Sequence, residues 1–96
     1  MQLQWKDLRW TGKALADLAR LYEFLAPVNQ SAAARIVQSL AAAPAKLLVN
    51  PRIGEKLEEF EPREVRCIRV ASYEMRYEIQ ESTIYVLRLW HTREDR

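Results

Sequence analysis

At Val65 the hydrophobic period of this 96-residue chain changes, and that change limits the folds open to it. Upstream, apolar residues recur at spacings of three and four, the period of a helix with one covered face. Downstream they alternate with charged residues, the period of a strand. Tyr73, Met75, Tyr77 and Ile79 alternate with Glu74, Arg76, Glu78 and Gln80. In the strand before them Arg66, Ile68 and Val70 share one face, and Val65, Cys67 and Arg69 the other. Glu81-Ser82 is a tight link to a third strand, Thr83–Trp90. Three consecutive antiparallel strands are predicted.

Upstream, Gln2, Leu3, Gln4 and Trp5 alternate as a short strand does, running as far as Leu8 or Trp10. Thr11 is the N-cap expected of a helix whose inner stripe is Leu15, Leu18, Tyr22 and Leu25, widened by Ala14 and Leu21. Pro27 stops it near Ala26. Asn29 or Ser31 caps a second helix with Ala33, Ile36, Val37 and Leu40 inward, and its alanine runs let the two helices approach closely. Pro44 is expected to open a new short helix ending at Asn50-Pro51, after which residues 55–63 form an irregular connection. The order β-α-α-β-β-β predicts an α+β fold over residues 1–96: an antiparallel sheet with an N-terminal helical hairpin packed on one face and the other face partly open.

The apolar share of 49%, with only 2 Gly and 4 Pro, excludes a disordered or repetitive chain. A length of 96 residues predicts one domain. One cysteine, Cys67, and one histidine, His91, leave no internal disulfide, zinc cluster or multi-histidine metal site, and no glycine-rich phosphate loop is present, so neither metal nor cofactor is expected. The first ten residues lack the apolar core of a signal peptide and no apolar run reaches membrane-spanning length, which predicts a cytoplasmic protein with no membrane partner.

The formal charge of +2 is too small to argue duplex binding from net field, so the arrangement of arginines must carry any such argument. Arg63, Arg66, Arg69, Arg76 and Arg88 fall on adjacent strands, where they can serve phosphate or pair with the interleaved Glu64, Glu74 and Glu78. Cys67, mid-strand with no local His or Lys, reads as a small packed residue rather than a nucleophile. His91 reads either as an exposed strand-end residue or as part of a basic site with Arg88 and Arg93.

Several motifs bear on these alternatives together. The first is Trp10-Thr11-x-x-Ala14-x-x-Asp17-Leu18-x-x-Leu21-Tyr22-x-Phe24, with Leu47-x-x-x-Pro51-x-Ile53-Gly54 later. Then come Val65-Arg66-x-Ile68-Arg69-Val70-x-x-Tyr73-x-Met75-x-Tyr77-x-Ile79 and Ile84-Tyr85-Val86-Leu87-x-Leu89-Trp90-His91-x-Arg93. In order and spacing, over nearly the whole chain, these resemble the RelE/ParE toxin superfamily of bacterial toxin–antitoxin systems. Within it the chain resembles the ParE branch, whose toxins poison DNA gyrase, more than the RelE branch of ribosome-dependent messenger-RNA endoribonucleases. No tyrosine follows Tyr85, Glu74 stands after Tyr73 where many members carry Arg, and Glu55, Glu58, Glu59 and Glu61 make acidic a loop that ribonuclease members keep basic. Arg69, at the place of a phosphate-binding arginine, and His91, able to act as a base, keep the ribonuclease as the alternative.

The resemblance implies a growth-arresting toxin that acts by binding, with no catalytic residue, and that forms a hetero-oligomer with a ParD-type antitoxin. It implies DNA gyrase as target and no sequence-specific nucleic-acid binding by the toxin alone. Arg88, Trp90, His91 and Arg93 are expected to bind the target, with Arg88 and Trp90 facing outward and nothing beyond Trp90 holding the chain down. Leu18, Leu21, Tyr22, Phe24 and Leu25, with the strand residues Arg69 and Arg76, are expected to bind the antitoxin, Leu21, Phe24 and Ala14 lying partly off the buried stripe.

Overall fold

The computed structural model describes residues 7–93. Its elements are β1 (Asp7–Trp10), α1 (Gly12–Leu25), α2 (Gln30–Ala42), a 3-10 helix (Ala43–Leu48), β2 (Glu55–Lys56), a 3-10 turn (Glu58–Phe60), β3 (Glu64–Val70), β4 (Tyr73–Gln80) and β5 (Thr83–His91). The alternation of residues 2–5 lies outside the described residues.

The helix ends form where the side chains can satisfy them. Thr11 and Asn29 each accept a hydrogen bond from the backbone N–H three residues on, relieving one of the unpaired donors of a first turn. Pro44 sits in the first turn of the 3-10 helix, where its missing N–H costs nothing.

The five strands run in the order β1-β5-β4-β3-β2. Neighbours β5, β4 and β3 are antiparallel, as the alternation predicts, but β1 pairs parallel to β5, so the sheet is mixed. A hairpin cannot produce that pairing. The chain leaves β1, passes through both helices and three strands, and returns to lie beside its own start. Part of the connection expected to be irregular, Glu55-Lys56, also joins the sheet as β2 against Arg66 and Cys67.

Both helices cover one sheet face. Ala14 and Leu21 of α1 and Leu40 of α2 meet Ile68, Met75, Tyr77, Ile84, Val86 and Leu89 in one core. The inner stripe of α1 is therefore Ala14, Asp17 and Leu21, a rotation from the Leu15–Leu25 stripe; Leu15 is exposed, and Leu18 and Leu25 sit half-buried at the edge. A charged residue at an inner position conceals this stripe from a hydrophobicity count. Under the sheet's end, the Tyr77 hydroxyl donates to the Pro51 carbonyl at 2.7 Å and accepts from the Gly54 N–H at 3.0 Å. Gly54 is required there, since a Cβ would stand 2.7 Å from the Tyr77 oxygen and 2.8 Å from the Cys67 carbonyl.

Candidate functional site

The last strand is where sequence and structure part most. Met75 pairs with Leu89 and Tyr77 with Val86, so Leu87 is an extra residue, a β-bulge that shifts the register between Arg76 and Tyr77. Before the bulge the even-numbered Ile84 and Val86 face the helices; after it the odd-numbered Leu89 does. Arg88 stands opposite Arg76 in the register, but its side chain reaches α1. Instead of facing outward, Arg88 forks onto the Asp17 carboxylate of α1, Nε at 2.8 Å and Nη2 at 3.2 Å.

Asp17 is nearly sealed at 4% exposure and closes an edge that β1 leaves open. Because β1 ends opposite Val86, the upper half of β5 has no strand on that side among the described residues. Helix α1 supplies the missing partners: Thr11 Oγ1 donates to the Leu87 carbonyl, Asp17 accepts from the Leu89 N–H at 2.9 Å, and Arg20 donates to the Leu89 carbonyl. Burial pushes the Asp17 carboxyl up, but the Arg88 fork, the Leu89 N–H and Arg20 outweigh it and hold the group below its ordinary value.

Held this way, the end of β5 meets the end of α1 and the start of β4 around a groove of about 530 Å³, lined by Arg20, Leu21, Phe24, Leu25, Tyr73, His91 and Arg93. Leu21 is core and forms its base; Phe24 is 76% exposed at its side. Tyr73 and His91 meet edge to face at 5.0 Å, and the His91 Nδ1 accepts from the Arg93 N–H. The Thr92 N–H donates to the Ser72 carbonyl, so the chain is tied down beyond Trp90, contrary to expectation. Tyr73 also borders a second depression of about 220 Å³, reached by Arg35, Ile36, Ser39, Leu40, Val70 and Ala71. Among the described residues, the lining of the two hollows holds three arginines and no carboxylate. Such a surface suits an apolar segment that carries acidic side chains.

The two residue sets proposed from sequence are thus sorted differently in space. Leu21, Phe24, Leu25, His91 and Arg93 share the groove, although sequence divides them between two partners. Leu21 lies in the core, not off the buried stripe. Tyr22 is half-buried and takes a hydrogen bond from Gln30, outside the groove lining, as is Leu18. On the opposite sheet face stand Arg69, Arg76 and Trp90. Trp90 is buried, covered by Arg76 rather than free. Arg69 pairs with Glu74 at 3.3 Å, Arg66 with Glu64 at 2.9 Å, and Arg63 bidentately with the buried Glu78. Arg69 pairs across to β4, Arg63 reaches β4 from the loop before β3, and Arg66 pairs within β3. The carboxyls of Glu64, chiefly through Arg52, and of Glu78, chiefly through Arg63, lie below their ordinary range. Cys67 is half-buried, and burial, with Glu74 next to it, pushes its thiol up to about 11. Sequence gave no sign of Asp17 as a clamp beyond its place between Ala14 and Leu21.

A family model described as the ParE toxin of the type II toxin–antitoxin system parDE matches residues 8–96. The chain belongs to the ParE toxin family of type II toxin–antitoxin systems. Two solved structures are similar in fold to this ParE-family toxin. One, from a chromosomal ParDE system of P. aeruginosa, is 22% identical with a TM-score of 0.74, covering 91% of this chain and 96% of that one. The other, from the toxin–antitoxin complex RelBE2 of Mycobacterium tuberculosis, is 23% identical with a TM-score of 0.68, covering 95% and 94%. No curated protein matches the toxin in sequence. Among the described residues, no helix is long and apolar enough to cross a membrane.

Proposed function

We propose that this ParE-type toxin arrests growth in the cytoplasm by binding and poisoning DNA gyrase. A cognate ParD-type antitoxin neutralises it by laying an amphipathic, acidic segment into the groove at the end of α1. The observation that carries the reading is the groove itself: an apolar base and wall of Leu21, Phe24, Leu25 and Tyr73 rimmed by Arg20 and Arg93, with no carboxylate among the described lining residues. Helix-in-groove burial supplies affinity and the arginines supply orientation. The same occupant covers His91 and Arg93, the accessible members of the set proposed to meet the target.

Binding is favoured over RNA cleavage because the strand arginines that could serve phosphate are paired, Arg76 excepted. Arg69 is held by Glu74, Arg66 by Glu64 and Arg88 by Asp17. The test is supercoiling by purified gyrase with toxin added alone or with antitoxin, run beside a translation reaction. Loss of supercoiling with trapped DNA breaks, reversed by antitoxin, is the expected result. Arrest of translation with supercoiling intact would replace gyrase with the ribosome as the target.

A further inference from the structure

On the sheet face away from the helices, Arg76 is flanked by two rings: its guanidinium carbon stands 5.1 Å from the centre of Phe60 and 4.9 Å from that of Trp90. Phe60 comes from the 3-10 turn before β3 and Trp90 from β5, so the side chain is held from both sides of its own strand β4. Its Nε is buried with no hydrogen-bond partner, a cost that folded chains seldom carry without a reason. Among the described residues Arg76 makes no ion pair, while Arg63 and Arg69 on the same side of the sheet both do. Its terminal nitrogens, also without a partner, are not sealed from solvent.

We propose that the Phe60–Arg76–Trp90 stack is a docking site for one carboxylate of a protein partner, on a face separate from the groove and independent of what fills the groove. The rings fix the guanidinium plane in advance, so little side-chain freedom is lost when its N–H edge meets a carboxylate. An immobilised arginine set among aromatics is the composition that concentrates binding energy at protein interfaces. The surroundings choose protein over nucleic acid. Trp90 is 7% exposed, leaving little ring face for a base to stack on. The segment that carries Phe60 also carries Glu58 and Glu59, both exposed and in no ion pair among the described residues, and a phosphate chain would have to pass them. A central cation beside an acidic flank is complementary to a central carboxylate flanked by basic residues. The occupant is therefore an Asp or Glu bracketed by Lys or Arg.

The probe is a short capped Lys-Asp-Lys peptide, titrated into the toxin and into the toxin–antitoxin complex while the Trp90 indole and arginine side-chain resonances are followed by NMR. Lys-Asn-Lys and a short oligonucleotide are the comparisons. The Asp peptide is expected to shift Trp90 and Arg76 in both samples, to bind about tenfold tighter than the Asn peptide, and to lose that advantage in Arg76→Lys, which keeps the charge but not the planar fork. Equal binding of the two peptides, or tighter binding of the oligonucleotide, would overturn the proposal. So would an effect confined to the groove resonances of Tyr73 and His91. These readouts use no gyrase and leave the target reading untouched.

Discussion

Asp17→Ala should cost this toxin about 3 kcal/mol of stability, more than any other single carboxylate removed from its described surface or core. The substitution leaves the Leu89 N–H buried with no acceptor, about 1–3 kcal/mol by itself. It also strips Arg88 of its fork. Removing one member of a buried pair costs about 3–5 kcal/mol, and because the Arg88 side chain keeps 32% exposure, water restores part of that loss. At about 4–8 °C per kcal/mol for a domain of this size, the melting temperature should fall by at least about 12 °C. Asp17→Asn keeps an acceptor for Leu89 without the charge and should lose about half as much. The folded carboxyl titrates below its unfolded value, so its contribution is complete above about pH 4 and disappears as pH falls through the folded value. The gap between Asp17→Ala and the parent chain in urea unfolding should accordingly be widest near neutrality and shrink in acid. A gap below about 0.5 kcal/mol at pH 7, or one that does not narrow in acid, would refute the clamp.

Other substitutions separate surface from core. Phe24→Glu should leave the melting temperature nearly unchanged and weaken antitoxin binding in calorimetry, whereas Leu21→Ala should cost about 2–5 kcal/mol because Leu21 lies in the core at 3% exposure. Gly54→Ala should cost about 2–3 kcal/mol in urea unfolding, since the new methyl must displace the Tyr77 hydroxyl or the Cys67 carbonyl. With its thiol raised to about 11, Cys67 should alkylate about a hundredfold more slowly at pH 8 in the folded toxin than in denaturant, measured by mass spectrometry.

Local rules made much of this fold legible. Thr11 and Asn29 cap as their side-chain chemistry requires, and the strict alternation of β4 holds because both of its neighbours are strands. What the sequence hid were features set by contacts between distant parts of the chain. The parallel partner of β1 lies more than seventy residues away, so no local pattern encodes it. The bulge at Leu87 adds one residue within an apolar run, and alternation counted through it puts Ile84 and Val86 on one face with Trp90, which lies on the other. Asp17 reads as a surface residue until its partners on β5 are known. The groove was half legible for the same reason. Phe24 and Arg93 each stand out as exposed, but only the end-on meeting of α1 with β5 puts them in one hollow.

The pairing of β1 with β5 has a consequence for how the toxin is made. The Thr11 hydroxyl and the Leu87 carbonyl are separated by 76 residues, and they meet only once β5 has been made. Contacts this remote are the slow ones to form, because a long loop must close before they stabilise anything. A chain still being synthesised can form its helical hairpin early, but β5, the Asp17 clamp and the groove wall at His91 form only once Thr83–His91 has been made. The sheet edge and the groove should therefore form later than the hairpin. An antitoxin already present in the cell meets a toxin that is still assembling the surface it needs for harm.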